Sequence, residues 1–328
     1  MINMKLSILD QAPISPNETA QDALNGSVEL AKLGESLGYS RYWLTEHHGL
    51  SNLASSAPEV LLAYIGAHTK KIRIGAGAIL LPHYRPYKVA ELFNTLSTLF
   101  PNRIDLGIGR APGGSAEATN ALSTQYLKQV WALPELLDEL LMFLEDNFPE
   151  EHEYSKVAVL PKPDVAPVPW LLGTSEKSAL LAAKYGLPYV FGKFMSDQDG
   201  TEIVQSYRDH FKESVSGKKS EVIVTVSVIC AETTQEAEEL AVKSLIPAVQ
   251  SDDKNHKVVE YEELSEREIS MLDEMKNNMI IGNAKKIKSE LQSLQNQYGC
   301  DEIMISTNTI SYEDRIQSYR LIAQALLV

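Results

Sequence analysis

An acidic residue and two adjacent histidines end a short apolar run in the stretch RYWLTEHHG, residues 41–49. The run RYWLTE, residues 41–46, predicts a β-strand, so Glu46, His47 and His48 stand where that strand stops. An imidazole titrates near neutral pH and can transfer protons, and a neighbouring carboxylate can orient it. Three interpretations follow: a catalytic pair of Glu46 and His47, a metal site, or only a hydrogen-bond network at a strand end.

Metal binding is the least favoured of the three. Adjacent residues of a strand point to opposite faces, so His47 and His48 are poorly placed to share one ion. His68 is predicted at the end of the second helix, at the opposite end of the fold, and no third ligand has a suitable spacing. We therefore expect no metal, and we expect proton transfer or cofactor contact at His47.

A second polar group, GTSEKS at residues 173–178, follows the apolar run PWLLG. Thr174, Ser175 and Ser178 are predicted in the first turn of a helix, where unpaired N–H groups and the helix dipole attract anions. Ordinary N-capping by Ser175 explains the same residues without a ligand. Taken alone, this segment leaves both interpretations open.

Arg110 favours the anion. It follows the predicted strand RIDLGIG, residues 103–109, which precedes the PWLLG strand along the chain. Neighbouring parallel strands would bring Arg110 close to residues 174–178. Because a guanidinium matches a phosphate with two parallel hydrogen bonds, a phosphate-bearing cofactor is the sharper interpretation.

Two glycines, Gly75 and Gly77, lie inside the predicted strand of the stretch GAGAILLPHYRP, residues 75–86. Glycine in a strand leaves room for a flat ligand to approach the backbone, or it permits tight packing inside a barrel. The sequence does not separate these two interpretations.

Short β-rich runs alternate with helical patterns along the chain, the clearest helices being 87–100 and 311–327 with Ser311 as N-cap. Eight such units predict a (β/α)8 (TIM) barrel, an α/β fold. The alternative is an open doubly wound sheet, but the segment DQAPISP after the first strand lacks the glycines of a dinucleotide-binding turn. The predicted strands are 4–9, 41–46, 72–80, 103–109, 169–173, 188–192, 222–230 and 302–306.

Uneven strand spacing predicts a single domain over residues 1–328 with two insertions, after strands 4 and 7. They cover about 111–168, which includes a helix at 131–148, and about 247–283, a candidate lid. Because active sites of such barrels lie at the C-terminal ends of the strands, the polar residues there become candidates. These are Asp10, Glu46, His47, His48, His83, Arg110, Thr174, Ser175 and Lys193.

The bulk composition excludes several classes of function. A formal net charge of −14 argues against a binder of nucleic acid, which needs a concentrated basic surface. Two cysteines are too few for a disulfide framework, and no apolar run is long enough for a membrane span or a signal peptide. We expect a cytoplasmic protein that acts on a small molecule.

Four stretches, taken in order, resemble the bacterial luciferase-like monooxygenase family: WLTEHHG, IRIGAGAILLPHYRPYKVAE, NRIDLGIGRAPGG and GTSEKSALLAAKYGLPYVFG. The resemblance is continuous over residues 4–193. It implies a (β/α)8 barrel that binds FMN or reduced FMN at the C-terminal ends of its strands, with a non-proline cis peptide under the flavin ring.

The resemblance also implies roles for individual residues. Arg110, Thr174, Ser175 and Ser178 correspond to the phosphate site, Gly77 and Ala78 to the cis peptide, Glu46 to a flavin-site acid, and His47 to a proton-transferring histidine. Two positions depart from the luciferases themselves: Gly109 stands where they place a reactive cysteine, and Thr174 where they have an acid. Light emission is therefore not expected, although flavin binding is.

The activity implied is a monooxygenase that uses reduced FMN from a separate flavin reductase, and O2, to oxidise a small organic substrate. One alternative is a dehydrogenase that uses the deazaflavin F420. The other is a catalytically idle, flavin-binding barrel or partner subunit. A homodimer through the second and third barrel helices is a further expectation from the family.

Overall fold

The structure, a computed structural model, describes residues 4–16, 18–196, 198, 200–212, 219–250 and 261–327. In these ranges all the strand pairings are parallel, and eight strands close into a barrel in the order β1 to β7, then β9, then β1 again. This confirms the predicted (β/α)8 barrel. The strands are β1 (Lys5–Asp10), β2 (Arg41–Leu44), β3 (Arg73–Leu80), β4 (Ile104–Gly109), β5 (Val168–Gly173), β6 (Tyr189–Gly192), β7 (Val222–Ala231), β8 (Met279–Asn283) and β9 (Glu302–Ser306).

Amphipathic helices surround the barrel and bury their apolar faces on the outer side of the strands. Helix 87–100 is found at Pro86–Leu99, with Val89, Phe93 and Leu96 buried, and helix 311–327 at Tyr312–Leu326. The helices are α1 (Ala20–Leu37), α2 (Pro58–His68), α3 (Pro86–Leu99), α4 (Ala116–Leu122), α5 (Tyr126–Trp131), α6 (Leu133–Glu145), α7 (Glu176–Lys184), α8 (Gly200–His210), α9 (Thr234–Val249), α10 (Glu266–Asn277), α11 (Ala284–Tyr298) and α12 (Tyr312–Leu326).

Strand β8 was not predicted, and it corrects the second insertion. Residues 279–283 pair in parallel with the second half of β7, from Ser227 to Ala231, after the first half of β7 has paired with β6. This part of the predicted 247–283 insertion therefore belongs to the sheet. The run MIIGN is too short and too close to polar residues to stand out as a strand. Residues 251–260 of the candidate lid lie outside the described residues.

The first insertion contains three helices, α4, α5 and α6. The helix predicted over 131–148 is found as α6, Leu133–Glu145, and the chain turns at Ala132 between α5 and α6. Pro134 in the first turn of α6 explains the break, since proline is tolerated at a helix start and not in its interior.

One apolar layer fills the barrel itself. Each of six barrel strands contributes one buried side chain to it: Leu9, Trp43, Trp170, Val190, Ile223 and Met304. The indole rings of Trp43 and Trp170 meet edge to face at a centroid distance of 5.6 Å. A Cβ on Gly75 would lie 2.7 Å from the Asp105 carbonyl oxygen, so tight packing is the correct interpretation at Gly75. This layer forms the floor of the space above it.

Candidate functional site

A cavity of about 340 Å³ opens at the C-terminal ends of the barrel strands. It is the position expected for an active site in this architecture. The structure brings eight of the predicted site residues together there, because all of them line the cavity: Glu46, His47, Gly77, Ala78, Arg110, Thr174, Ser175 and Ser178. Residues from β1 to β7 or the loops after them therefore face one another across a single space.

His47 lines this cavity, and one of its ring nitrogens contacts a neighbouring side chain. Its Nδ1 lies 2.9 Å from the hydroxyl oxygen of Thr45, and its backbone N–H donates to the Ser55 carbonyl at 2.9 Å. Burial lowers the pKa of His47, and the neighbouring His48 lowers it further. His47 is therefore neutral at physiological pH and can accept a proton.

Glu46 is a fully engaged carboxylate rather than a free acid. It is 3% exposed. One oxygen accepts hydrogen bonds from His48 Nε2 and from the Tyr84 hydroxyl, both at 2.8 Å. The other accepts the backbone N–H of Leu80 at 3.0 Å. Glu46 thus ties the end of β2 to the end of β3, and it fixes the loop that carries His47.

We expect the substitution Glu46→Gln to lower the free energy of unfolding by about 1–3 kcal/mol. An amide nitrogen cannot accept a hydrogen bond, so at least one of the donors from His48, Tyr84 and Leu80 loses its partner in a buried place. Burial raises the pKa of Tyr84 and the charge of Glu46 raises it further, so Tyr84 stays a donor. Urea titration measures the free energy of unfolding, and Glu135→Gln, at an exposed position, is the matched control. Equal stability of the two variants would contradict the expected destabilisation by Glu46→Gln.

The opposite wall of the cavity is suited to an anion. Arg110 follows β4 and is exposed, and its guanidinium makes no ion pair or hydrogen bond with the described part of the chain. Thr174, Ser175 and the N-terminus of α7 line the same space. Burial raises the pKa of the nearby Tyr189 to about 12, so its hydroxyl is neutral. A cation without a counter-ion, next to a helix N-terminus, attracts a phosphate.

The capping interpretation of GTSEKS is also partly right. Ser178 Oγ donates to the Ser175 carbonyl at 2.6 Å, accepts the Ser175 N–H at 3.3 Å, and lies 3.0 Å from the Tyr189 hydroxyl. Its hydroxyl is therefore engaged in the start of α7. Thr174 and Ser175 keep more hydrogen-bonding capacity for a ligand than Ser178 does.

The backbone between these two walls is unusual. The peptide bond Gly77–Ala78 is cis, as the family resemblance predicted. The β3–β4 register also shifts between Ala76 and Ile79. Gly77 packs on the barrel interior, because a Cβ there would lie 2.9 Å from Leu9 and 3.0 Å from Trp43. Gly77 and Ala78 thus offer a backbone surface to the cavity between His47 and Arg110.

Asp10, expected at the rim of the site, is instead part of the scaffold. Its carboxylate accepts hydrogen bonds from Ser27 of α1, from the hydroxyl of Tyr42 and from Arg315 of α12. It is 3% exposed and does not line the cavity. Its predicted position at the C-terminal end of β1 is correct, but its candidacy as a site residue is wrong, because the side chain is turned toward α1 and α12.

His48, His83 and Lys193 also lie outside the residues that line the cavity. His83 contacts the Pro112 carbonyl through Nε2 at 3.0 Å and stacks on Tyr126 at a centroid distance of 4.8 Å. It therefore holds the loop after β4 and the start of α5 in place. His83, a candidate from its position after a strand, therefore contacts the loop around the site rather than the cavity itself.

Several lining residues were missed by reasoning from the sequence. Gln11 follows β1, and its Oε1 accepts a hydrogen bond from Asn308 Nδ2 at 2.9 Å. Val130 of α5, Phe194 and Met195 form apolar wall. Thr225 points inward from β7. Of these residues, only Gln11 and Phe194 could have been predicted, because each comes just after a predicted strand.

Among the described residues, no cluster of histidine, cysteine, aspartate or glutamate side chains could hold a metal ion. In the same part of the chain, no helix combines the length and apolar character that crossing a bilayer requires.

Comparison with known proteins gives the family. The profile described as luciferase-like monooxygenase matches residues 4–299. An uncharacterized protein of Bacillus subtilis, YwcH, is 41% identical, over 98% of this chain and 99% of its own length. The N-acetyl-S-alkylcysteine monooxygenase of the same organism is 38% identical, over 99% of this chain and 98% of its own.

Solved structures agree. Apo-MsnO8 superposes with a TM-score of 0.85 at 32% identity, covering 99% of this chain and 98% of its own. The oxygenating constituent of the 3,6-diketocamphane monooxygenase of Pseudomonas putida, solved with FMN, has a TM-score of 0.72 at 20% identity. It covers 98% of this chain and 97% of its own. An F420-dependent secondary alcohol dehydrogenase has a TM-score of 0.70 at 15% identity, covering 99% of each chain. The last two share the fold alone, whereas the family profile and the closer relatives settle the membership: this chain belongs to the luciferase-like monooxygenase family.

Proposed function

We propose that the protein is a flavin-dependent monooxygenase that uses reduced FMN and O2 to oxidise a small organic substrate. One observation carries the proposal: a single cavity is lined by a cation that has no counter-ion within the described part of the chain, next to a helix N-terminus, and by a neutral, half-buried histidine. The cation, Arg110, suits the phosphate of a flavin, and the histidine, His47, suits proton transfer beside its ring.

The residues of the cavity fit FMN. Arg110, Thr174, Ser175 and, to a smaller extent, Ser178 would hold its phosphate, and the backbone of Gly77 and Ala78 would face its flat ring system. When bound, reduced FMN supplies the two electrons with which O2 is activated. His47 would move a proton at Nε2, with Glu46 holding its loop in position. The apolar walls would exclude water from the reaction.

The first test is binding of reduced FMN and of riboflavin, which lacks the phosphate, to the wild type and to Arg110→Met. Loss of charge-assisted hydrogen bonds to the phosphate should weaken FMN binding by about 10–100-fold. Riboflavin affinity should not change. Arg320→Met, which removes an exposed arginine on α12, is the matched control. Equal loss for both ligands would show that Arg110 does not meet the phosphate.

Two other functions compete with this one. An F420-dependent dehydrogenase would bind F420 more tightly than FMN and would oxidise its substrate without O2. An idle flavin-binding barrel or partner subunit would bind flavin without turnover. The neutral, accessible His47 favours an active enzyme. Product formation from the substrate, measured once with reduced FMN and O2 and once with F420 without O2, separates all three.

Small organic sulfides are the first substrates to screen. The relative named N-acetyl-S-alkylcysteine monooxygenase supports this choice at 38% identity. The apolar side chains of Val130, Phe194 and Met195 beside the Gln11 amide suit a substrate with an alkyl portion and a polar one. We further propose a cytoplasmic location and a separate flavin reductase as the source of reduced FMN.

We also propose a homodimer that forms through α2 and α3. Val60 and Tyr64 on α2 are 67% and 50% exposed, and Leu99 on α3 and Leu160 are 59% and 65% exposed. A groove of about 320 Å³ lies between these helices. An apolar surface of this kind on neighbouring helices is suited to burial against a partner.

Val60→Asp should convert the dimer to a monomer, because a buried carboxylate without a partner is costly. Sedimentation velocity measures the change. Met271→Asp introduces the same charge at an exposed position of α10 and should leave the dimer intact. A wild-type protein that sediments as a monomer would exclude the proposal.

A further inference from the structure

Thr45 contacts the ring of His47 and is itself held firmly. Its hydroxyl oxygen lies 2.9 Å from His47 Nδ1, and both residues line the cavity. The Thr45 N–H donates to the Asp10 carbonyl at 3.0 Å, and the Thr45 carbonyl accepts from the Ser55 hydroxyl. Thr45 is only 5% exposed. The hydroxyl therefore has little freedom except rotation of its proton.

The contact with Thr45 involves only one of the two ring nitrogens of His47. His47 Nδ1 faces Thr45, and Nε2 has no hydrogen-bond partner within the described part of the chain. A proton that moves between His47 and a molecule in the cavity must therefore leave or arrive at Nε2. The chemical type of the group that contacts Nδ1 determines whether the ring can change its protonation state without losing the hydrogen bond at Nδ1.

We propose that Thr45 is a positioning residue whose hydroxyl keeps a hydrogen bond to His47 Nδ1 in both protonation states of the ring. A hydroxyl can donate and accept, unlike a carboxylate or a carbonyl oxygen, which only accept. When Nδ1 is bare, the Thr45 O–H donates to it. When the ring is an imidazolium, Nδ1–H donates to Thr45 Oγ1, and loss of the proton from Nε2 leaves a neutral ring that still donates from Nδ1.

This inference rests on the proposed function for the use of the proton, whereas the hydrogen bond itself exists without a flavin. Other titratable or charged groups line the same cavity as the ring or contact the neighbouring Glu46 and His48, and they are common to all the variants below. They are Glu46 and His48 of the same loop, Glu59 of α2, Tyr84 after β3 and Arg110 after β4.

The test is an NMR titration of the His47 ring in the flavin-free protein, with the His47 signal assigned by its loss in His47→Gln. Thr45→Val has nearly the shape of threonine but no hydroxyl. It removes an acceptor from the imidazolium and a donor from the neutral ring, and the bond to the charged form is the stronger one. We expect the pKa of His47 to fall by about one unit. Thr45→Ser, which keeps the hydroxyl, should restore the wild-type value.

Should Thr45→Val fail to fold, Thr45→Ala removes the hydroxyl without an apolar branch and gives the same comparison. An unchanged His47 pKa in the folded variant without the hydroxyl would overturn the proposal. So would a Thr45→Ser protein that titrates like that variant, because the effect would then belong to the methyl group. Binding of reduced FMN to the wild type is measured separately. If the proposed function is wrong, the wild type does not bind reduced FMN, whereas the difference in His47 pKa between the variants is still observed.

Discussion

The substitution His47→Gln should lower the rate of substrate oxidation by about 10²–10⁴-fold, the range attributed to a positioned general acid or base. Glutamine is close to histidine in size and polarity, but it cannot take up or release a proton at neutral pH. The affinity for reduced FMN should change by less than about threefold, because the residues proposed to hold the phosphate are untouched. Steady-state oxidation with reduced FMN, coupled to product analysis, measures the effect.

The pH dependence of kcat/KM gives a second test of proton transfer by His47. Burial and then His48 lower the pKa of His47, so the ring is neutral at pH 7 and becomes charged only below its usual titration range. If the neutral ring is the active form, kcat/KM falls on the acid side of that lowered pKa. This acid limb should be absent in His47→Gln.

His210→Gln is the matched control for His47→Gln, since His210 is exposed at the end of α8 and does not line the cavity. It should keep full activity. If His47→Gln oxidises substrate as fast as His210→Gln, His47 does not transfer the rate-limiting proton. The idle-barrel alternative predicts no turnover in either protein.

Much of the site could be read from the sequence because of barrel geometry. His47, Arg110 and Thr174 each follow a recognisable strand, and a parallel barrel places all such residues at one end. The short distances along the chain between strand and polar residue made those three predictable. The register of each strand decides which of its side chains face the cavity.

Where that register was uncertain, prediction failed. Asp10 was expected in the site, but its side chain turns outward to Arg315, 305 residues further along the chain. No local sequence pattern predicts an ion pair between residues so far apart along the chain. Strand β8 was missed for a similar reason, since it forms only because β7 extends beyond its pairing with β6.

Residues from the insertions are the least predictable part of the site. Val130 lines the cavity from α5, a helix whose position depends on the contact of Tyr126 with the Arg110 carbonyl at 2.7 Å. The aromatic stacking of Tyr126 on His83 adds to this contact. These are tertiary contacts between segments that sequence periodicity treats as independent, so the part of the cavity wall that α5 forms could not be derived.

The opposite end of the barrel carries an ionic network that no sequence pattern indicated. Arg41 of β2 donates to Glu302 of β9 at 3.0 Å, to Asp105 of β4 at 2.9 Å and to Glu221 at 3.2 Å. Its guanidinium also lies over the ring of Trp170 at 4.6 Å. The network links distant strands just below the apolar layer that carries the cavity.

Two carboxylates of this network depend on Arg41 to different extents. Asp105 also accepts from Arg73 and from the indole N–H of Trp43, at 3.0 and 3.1 Å. Glu302 is fully buried, and one of its oxygens has no hydrogen-bond partner among the residues that the structure describes. Burial raises the pKa of Glu302, and Arg41 is the main cause acting in the opposite direction. Removing Arg41 therefore leaves Glu302 as the uncompensated charge.

We expect Arg41→Met to lower the free energy of unfolding by about 3–5 kcal/mol, the cost of breaking a buried ion pair from one side. The double variant Arg41→Met with Glu302→Leu should regain most of that loss, because an apolar replacement of the whole pair removes the orphaned charge. Urea titration of the wild type and both variants measures this. Equal loss in the single and double variants would mean that the arginine acts through packing on Trp170.

The loss of stability in Arg41→Met should also depend on pH, and the titration of Glu302 determines whether that loss grows or shrinks as the pH falls. Without Arg41 the folded-state pKa of Glu302 rises further above its value in the unfolded chain, so the folded protein binds the proton more tightly. The deficit is then largest above the folded-state pKa and shrinks as the pH falls toward the unfolded value of about 4.3. In the double variant this pH dependence should disappear, because residue 302 no longer titrates. A deficit that grows on acidification would place the orphaned charge elsewhere in the network.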